Sequence, residues 1–597
     1  MVGRHTRLRV RRKIRTRKKQ VVGISETANK QLDRHIFRRW NNLKLSWRFI
    51  VGWLGLVVLL VVAVVLQTKA LGGFYLQAKP IPGGVYSEAV KGDFSNANPI
   101  YAVSEVDAAV SRLVFSPLLT YDDNNQLTGD LAESWEVDPK ATTYTVTLKP
   151  NLVWHDGQPL TSDDVVFTYT TIQNTDVKSP LQSSWRGVKV EKVDDRTVKF
   201  VLPNAYSPFL HSLTTGIIPM HVLGDVPPEQ MRSLAFNTKS PIGSGPFKWK
   251  SVMAAGDSKN SQSKIIKLVR FDQYNRGAPK LDGITIRTFE TDEGLKQAVK
   301  GKEVVSAGGV SMTDKEIGTD YQATSFNLMS ANMLFLNNNS ELLSDAKLRQ
   351  ALVKATNTQA LNQEVGYSTI AVREPLLAGQ VGYNPAYFQL SFNKDEANAQ
   401  LDQLGWVFPA NEQYRKKNGT QLKLNLSYEN SPEFSRVVSQ LQKQWADVGV
   451  NLSVDAVESS KSGTKLVDSR DYDVLLYGIN IGPDPDVYAY WHSSQIDKKT
   501  AEQPIHLNLS EYKSNTADSA LEGGRTRVDA KLRAAKYKPF LEAWRNDAPA
   551  IGLYQPRFLY ISNEQVYGRT QRTINTPSDR FNNVHLWMIS TARSKKD

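Results

Sequence analysis

The chain has 597 residues, with 74 Lys and Arg against 60 Asp and Glu, eight His and no Cys. That length exceeds the roughly 250 to 300 residues at which a single core stops growing, so at least two lobes are expected, and the lack of cysteine excludes disulfides, thiol catalysis and a lipid carried on an N-terminal cysteine. The formal net charge of +14 would suit a nucleic-acid binder only if a folded surface carried it, yet the first 48 residues hold 16 of the basic residues and only two acids, Glu26 and Asp33, which leaves the rest of the chain formally neutral.

In chain order, residues 1–48 read as a basic arm that includes "RLRVRRKIRTRKK". The arm shows no two-helix pattern with a turn, so nucleic-acid recognition would rest on charge alone, and no nucleic-acid partner is expected. "FIVGWLGLVVLLVVAVVLQT", residues 49–68, contains no charged residue. A helix needs about 20 such residues to cross a hydrocarbon core, and a buried core helix seldom has so basic a flank. The run is therefore expected to be a transmembrane anchor. The basic residues lie upstream and only Lys69 lies close downstream, which places the N-terminus in the cytoplasm and the bulk of the chain outside. A cleaved signal peptide fits less well, because a long arm precedes the apolar run and no small-x-small site follows it. Residues 69–85, rich in Gly and Pro, read as a stalk.

Beyond the stalk the hydrophobic period alternates between two and about three and a half. "YTVTLKP" alternates Tyr144, Val146 and Leu148 against polar residues, and "TVKFVLP" at 197–203 does the same, as half-buried strands should. "WHDGQPLTSDDVVFTY", Trp154 to Tyr169, crowds a histidine and three aspartates together. Asp-Gly after a strand is a turn signal. Thr161 then reads as a helix cap, with Asp164 reaching back to it. The competing reading, an acid–base pair of His155 with Asp156 or Asp164, needs a spatial convergence that proximity in sequence does not supply.

Farther on, Ser344 is expected to cap a helix with Leu348, Ala351, Leu352 and Ala355 inward. "QLKLNLSY" alternates Leu422, Leu424 and Leu426. "NSPEFSRVVSQLQKQWADVG" places Phe434, Val437, Val438, Leu441, Trp445 and Val448 on one stripe, with Ser431 as cap, Pro432 in the first turn and Gly449 at the end. "VNLSVDAV" follows as a strand. Strand, helix and strand in this order make a βαβ unit with a parallel pair, hence an α/β lobe.

"DLAESWEVDPKATTYTVTLKPNLVWHDGQPLTSDDVVFTY" (130–169) resembles the signature region of the extracellular solute-binding proteins of family 5, the oligopeptide- and dipeptide-binding components of ABC importers. Seven further segments fall in that family's order: "IGSGPFKWK" (242–250), "FDQYNRGAPKLDGITIR" (271–287), "FLNNNSELLSDAKLRQAL" (335–352), "LDQLGWVF" (401–408), "LQKQWADVGVNLSV" (441–454), "YDVLLYGINIGPDPD" (472–486) and "APAIGLYQPRFLYI" (548–561). Two departures stand out. "ATNTQAL" replaces the family's usual "AIDR", and a membrane helix replaces the lipid-bearing cysteine. The resemblance implies a two-lobed α/β fold of the periplasmic-binding-protein type II (cluster C-like), with lobe I at 86–290 including a family-specific extra subdomain, lobe II at 291–552 and a return to lobe I at 553–597. The crossovers are then expected near Thr285–Gly294 and Gly552–Tyr560.

No His-Glu-x-x-His, phosphate-binding loop or Gly-x-Ser-x-Gly elbow is present, and the scattered histidines have no metal-ligand spacing, so neither an enzyme nor a cofactor or metal site is expected. The function implied is capture of a peptide or peptide-like solute between the lobes for delivery to an ABC permease, by a monomer. A ligand sensor or envelope scaffold with the same fold is the alternative.

"DYDVLLYGINIGPDPDVYAYWHSS" carries the site expectation. Val474 to Tyr477 read as a strand buried on both faces, and ligands of open α/β sheets sit beyond the carboxyl ends of strands, which puts Gly478, Asn480, Asp484 and Asp486 at the cleft. A carboxylate there can pair with a peptide's ammonium, Gly478 can admit the ligand backbone, and Tyr488 or Trp491 can cover apolar side chains. Which aspartate does so stays open, and an ordinary Asp-Pro turn is the alternative. The resemblance adds Ser330 and Asn332 on the opposite wall.

Overall fold

The computed structural model describes residue 30 and residues 47–255, 263–458, 463–496 and 506–595. The basic arm expected at 1–48 lies almost wholly outside them. Two units are described separately, residues 1–79 with 591–597, and residues 80–590.

In the first unit α1 (Trp47–Tyr75) is one continuous helix. Its Trp47–Gln67 stretch has a mean hydropathy of 3.1 with none of it buried, long and apolar enough to cross a membrane. The helix passes through 69–75, read above as stalk. Lys69 does not end it, since a charge breaks an apolar pattern without breaking a helix.

The second unit continues with β1 (Val85–Lys91), α2 (Glu105–Val114), β2 (Ala132–Val137), β3 (Thr143–Leu148), α3 (Ser162–Gln173), β4 (Lys189–Asp194), β5 (Thr197–Val201), β6 (Phe247–Ala255), β7 (Ser263–Arg270), β8 (Gly283–Phe289), β9 (Ser306–Gly308) and β10 (Gln322–Leu328). Next come β11 (Ser330–Leu336), α4 (Ala346–Ala355), β12 (Ile370–Ala371), β13 (Lys423–Glu429), α5 (Pro432–Ala446), β14 (Asn451–Val457), β15 (Val474–Asn480), α6 (Asn515–Arg525), α7 (Ala530–Asp547) and β16 (Ala550–Gln555). The chain closes with β17 (Arg557–Ser562) and β18 (Thr573–Ile574).

Among the described residues the strands form two large sheets. Lobe I holds the order β18-β10-β17-β9-β1-β8-β7-β6, and lobe II the order β12-β16-β11-β15-β13-β14. A smaller sheet, β2-β3-β5-β4, forms a subdomain of lobe I. The alternation read from sequence gives its inner face: Tyr144, Val146 and Leu148 of β3 are buried. Helix α3 covers it, with Tyr169 stacked on Trp185 at 4.0 Å and edge-on to Phe200 at 5.4 Å.

In lobe II, β13 and β14 pair in parallel across α5, as the βαβ pattern requires. Ser431 caps α5 by accepting from the Phe434 N–H, with Pro432 at its first position. Helix α4 differs in one detail. Its cap is Asp345, which accepts from the Lys347 N–H at 2.8 Å, while the Ser344 hydroxyl donates to the Glu341 carbonyl.

The lobes are joined by a two-strand ribbon. β10 pairs with β17 in lobe I and β11 pairs with β16 in lobe II. The chain therefore crosses at Met329 and returns at Pro556. The return lies inside the expected Gly552–Tyr560. The first crossing lies well after the expected Thr285–Gly294, because β8, β9 and β10 all stay in the lobe I sheet. By topology lobe II spans 330–555, with 80–328 and 557–590 on the lobe I side.

Candidate functional site: a cavity between the lobes

Each strand of the ribbon changes sheet at a single residue. Pro556 has no N–H for the ladder. Met329 is held from both sides: its N–H donates to the Ile574 carbonyl in lobe I at 3.0 Å, and its carbonyl accepts from Ile481 and Gly482 of lobe II at 3.0 and 2.8 Å. A hinge pinned this way fixes where the sheets diverge, and the gap they leave is a cavity of about 660 Å³. That volume is in the range of roughly 300 to 1,000 Å³ typical of small-molecule sites.

Lobe I contributes Glu105, the Gly309–Thr313 loop and Phe558, and lobe II contributes Asn332, Tyr367, Glu433 and Gly478. Glu433, in the first turn of α5, accepts from the Tyr554 hydroxyl at 2.6 Å and the Tyr367 hydroxyl at 3.3 Å. Burial pushes its carboxyl above the usual range, and the two tyrosines pull it back. Arg557 lies 4.1 Å from the Tyr367 ring centroid and donates to the Ser325 hydroxyl at 3.1 Å and the Met312 carbonyl at 3.2 Å. Lys296 and Arg436 add further positive charge to the lining. A zwitterionic solute with apolar parts matches such a wall, which carries both signs of charge beside aromatic faces.

The residues expected from sequence separate into three groups. Asn332 and Gly478 line the cavity and face each other across the β11–β15 ladder. A Cβ on Gly478 would stand 2.7 Å from Asn332 Oδ1. The missing side chain thus leaves room for that amide, which differs from the expected role of admitting a ligand backbone. Ser330 and Asn480 form the end rung of the same ladder, outside the cavity lining. The exposed Asn480 offers its carbonyl to the Tyr490 hydroxyl at 2.5 Å.

The aspartates are engaged elsewhere. Asp484 takes both ends of the Arg533 guanidinium, at 2.8 and 2.7 Å, and Asp486 takes Arg525 at 2.9 Å. Burial raises the Asp486 carboxyl while Arg525 opposes the rise. Burial alone would lower Arg533, but Asp484 holds it above its ordinary value. Both Asp484 oxygens are thus taken by Arg533, which disfavours the expected capture of an ammonium at Asp484, whereas Asp486 keeps a buried Oδ1 with no hydrogen-bond partner among the described residues. Tyr488 stacks on Arg525 at 4.1 Å, and Tyr206 of lobe I lies 5.0 Å from the same guanidinium. This group closes one side of the cleft, where the Ser207 hydroxyl donates to the Arg525 carbonyl at 3.1 Å and His211 Nε2 lies 3.8 Å from Asp484. Trp491 is fully buried, stacked on Phe335 at 5.7 Å and edge-on to Trp544 at 5.8 Å, and so belongs to the core of lobe II.

Sequence reasoning missed Glu105, Tyr367, Glu433 and Arg557. Glu105 and Glu433 stand in the first turns of helices, where acids are ordinary. The Gln-Pro-Arg segment at the return crossover held the one usable signal, since a charged residue beside a hinge proline faces the cleft.

The 154–169 stretch is structural. Thr161 and Asp164 form a reciprocal capping box at the start of α3. His155 Nε2 meets the Gly245 carbonyl at 3.0 Å and Nδ1 accepts from the Gly243 N–H at 3.3 Å, with burial lowering the ring to about 4. Asp156 instead pairs with His221 at 2.8 Å. Thr161→Ala is expected to lower stability by about 1 kcal/mol in denaturant unfolding; no change would mean the cap is idle. Among the described residues no three His, Asp or Glu side chains gather as a metal site would need.

The chain is 27% identical over 531 residues to the oligopeptide-binding protein AppA of Bacillus subtilis, covering 86% of this chain and 93% of that protein. It is 23% identical over 490 residues to the glutathione-binding protein GsiB of Pectobacterium atrosepticum, covering 80% and 90%. Its fold matches the structure of B. subtilis AppA in complex with a nonapeptide, with a TM-score of 0.67 and 25% identity over 86% of this chain and all of that one. The ABC transporter substrate-binding protein CtaP of Listeria monocytogenes matches with a TM-score of 0.72 and 26% identity, over 85% and 99%. A family model for bacterial extracellular solute-binding proteins, family 5, matches residues 126–499. That match spans more than half of the chain, and the chain belongs to the extracellular solute-binding proteins of family 5.

Proposed function

We propose that the protein is a membrane-tethered receptor that captures a peptide or peptide-like solute in the interlobe cavity and presents it to an ABC permease. The cavity carries this reading: at about 660 Å³ it suits a short peptide, and its wall offers carboxylates, guanidinium groups and aromatic rings together. The relatives' peptide ligands support the same class. Chemistry is not required of the cleft, because a ligand that contacts both lobes binds the closed arrangement better and so draws the lobes together. Helix α1 is the tether, with the N-terminus in the cytoplasm and the binding unit outside, and the receptor acts as a monomer. A sensor or envelope scaffold with the same fold would bind the same solute without a permease.

Native mass spectrometry of the full-length chain, extracted in detergent from its host, tests the ligand. A co-purified peptide is the expected result, and a sugar, a metal chelate or an amino-acid conjugate would overturn the peptide class. Crosslinking in intact membranes tests the partner, a permease being expected. The chain should also stay with membranes through a high-salt wash, and its appearance intact in the soluble fraction would remove the tether.

A further inference from the structure

One carboxylate oxygen in the cavity wall lacks a hydrogen-bond partner among the described residues. Glu105 opens α2, and its Oε1 is buried and accepts no hydrogen bond. Its neighbours explain why that oxygen stays open. Glu88 and Arg580 are a fully buried pair, in which Arg580 Nε and Nη2 both donate to Glu88 Oε1, at 2.9 and 2.7 Å, and Nη1 donates to the Pro577 carbonyl at 2.5 Å. The guanidinium is thereby committed and reaches Glu105 only through space. Two carboxylates then share one buried cation, which leaves one negative charge in excess. Burial and Glu88 push the Glu105 carboxyl up, and Arg580 and the exposed Lys91 pull it down.

Glu105 also borders open space on two sides. Together with Pro577 it lines both the interlobe cavity and a second cavity of about 530 Å³ in lobe I, so it stands where the two meet. Across from it Gly309 adopts a left-handed backbone, φ +70°, and a Cβ there would come within 3.1 Å of Glu105 Oε1. The missing side chain keeps that approach open. At the other side of the cleft Asp484 is fully held by Arg533, and Asp486, held by Arg525 through one oxygen only, lies outside the cavity lining.

We propose that Glu105 takes a primary ammonium group of the captured solute, at a peptide's amino terminus or on a lysine side chain. The assignment rests on the peptide reading above. A buried carboxylate with an open oxygen is stabilised when a cation joins it, and the cation exchanges its water shell for a charge-assisted hydrogen bond.

The test exposes the full-length chain in detergent micelles to a random tetrapeptide library containing lysine, in three forms: unmodified, acetylated only at the amino terminus, and acetylated at both amino terminus and lysine. Captured peptides are read by mass spectrometry. Full acetylation is expected to reduce capture at least tenfold. Loss already on amino-terminal acetylation identifies that terminus as the group bound, and loss only on full acetylation identifies lysine. Glu105→Gln should lower capture of the unmodified library by a similar factor and leave the fully acetylated background unchanged. Equal capture of unmodified and fully acetylated peptides would overturn the assignment while leaving the peptide reading in place. Capture of no form would overturn both. Should Glu105→Gln fail to fold, equal capture of unmodified and fully acetylated peptides by the unaltered chain would still overturn the assignment.

Discussion

Asp484→Ala is expected to cost about 3 to 5 kcal/mol of folding stability and to leave the solute affinity of the folded protein within tenfold. The reason is the partner left behind. Arg533 is buried, keeps its charge at any relevant pH, and among the described residues has, besides Asp484, only the Gly524 carbonyl at 3.1 Å and the Tyr537 hydroxyl at 3.3 Å as hydrogen-bond partners. Removing the carboxylate strands a buried guanidinium at the closed side of the cleft, a far larger penalty than the loss of a surface ion pair. Replacing both partners together, Asp484→Ala with Arg533→Met, should recover much of the loss, since no charge is then left unpaired. Denaturant unfolding measures the first effect and calorimetry the second. If Asp484→Ala folds as stably as the parent yet loses more than tenfold in affinity, the carboxylate serves the ligand and the structural assignment is wrong.

That prediction reverses the role inferred from sequence, and the reversal shows what a sequence can carry. The DPD segment was legible as a break after a buried strand, because Val474 to Tyr477 form an apolar run and the residues after it turn to Gly, Pro and Asp. The partners were not legible. Arg525 and Arg533 arrive from α6 and the start of α7, and nothing local to 484–486 announces which distant cations will fold against it. The crossovers show the same asymmetry. Pro556 marks the return, since a residue without an N–H must interrupt a ladder. The outward crossing at Met329 has no such mark. "QATSFNLMSANMLFL" reads as one uninterrupted strand pattern, and only the change of pairing partners from β17 to β16 reveals that it spans two sheets. Local signals fared better: the cap at Thr161, the parallel pair around α5 and the alternation of β3 each depend on residues within one or two turns of each other.

Glu374→Gln is expected to stabilise the protein increasingly as pH rises. The Glu374 side chain is fully buried, and among the described residues Oε1 accepts only from the Asn384 N–H at 3.2 Å while Oε2 accepts nothing. The neighbouring Arg373 guanidinium is directed at the Phe388 ring, 5.5 Å from its centroid. Burial therefore raises the carboxyl from its ordinary 4.5 to about 8, against a smaller opposing effect of the Asn384 N–H. The folded state holds this proton more tightly than the unfolded chain does, so stability is full below about pH 4.5, falls as pH rises toward 8, and is level above. Keeping the ionised side chain buried at alkaline pH costs on the order of 5 kcal/mol. His155 and His585 act in the opposite sense at the acid end. Burial lowers both to about 4, so they withdraw stability as pH falls from 6.5 toward 4. Subtracting the parent from Glu374→Gln removes the histidines, which are common to both. The difference in melting temperature should be near zero at pH 4.5 and grow to its full value by pH 8.5. A difference that does not vary with pH would mean that Glu374 is ionised throughout, with a cation or water supplying what Oε2 lacks.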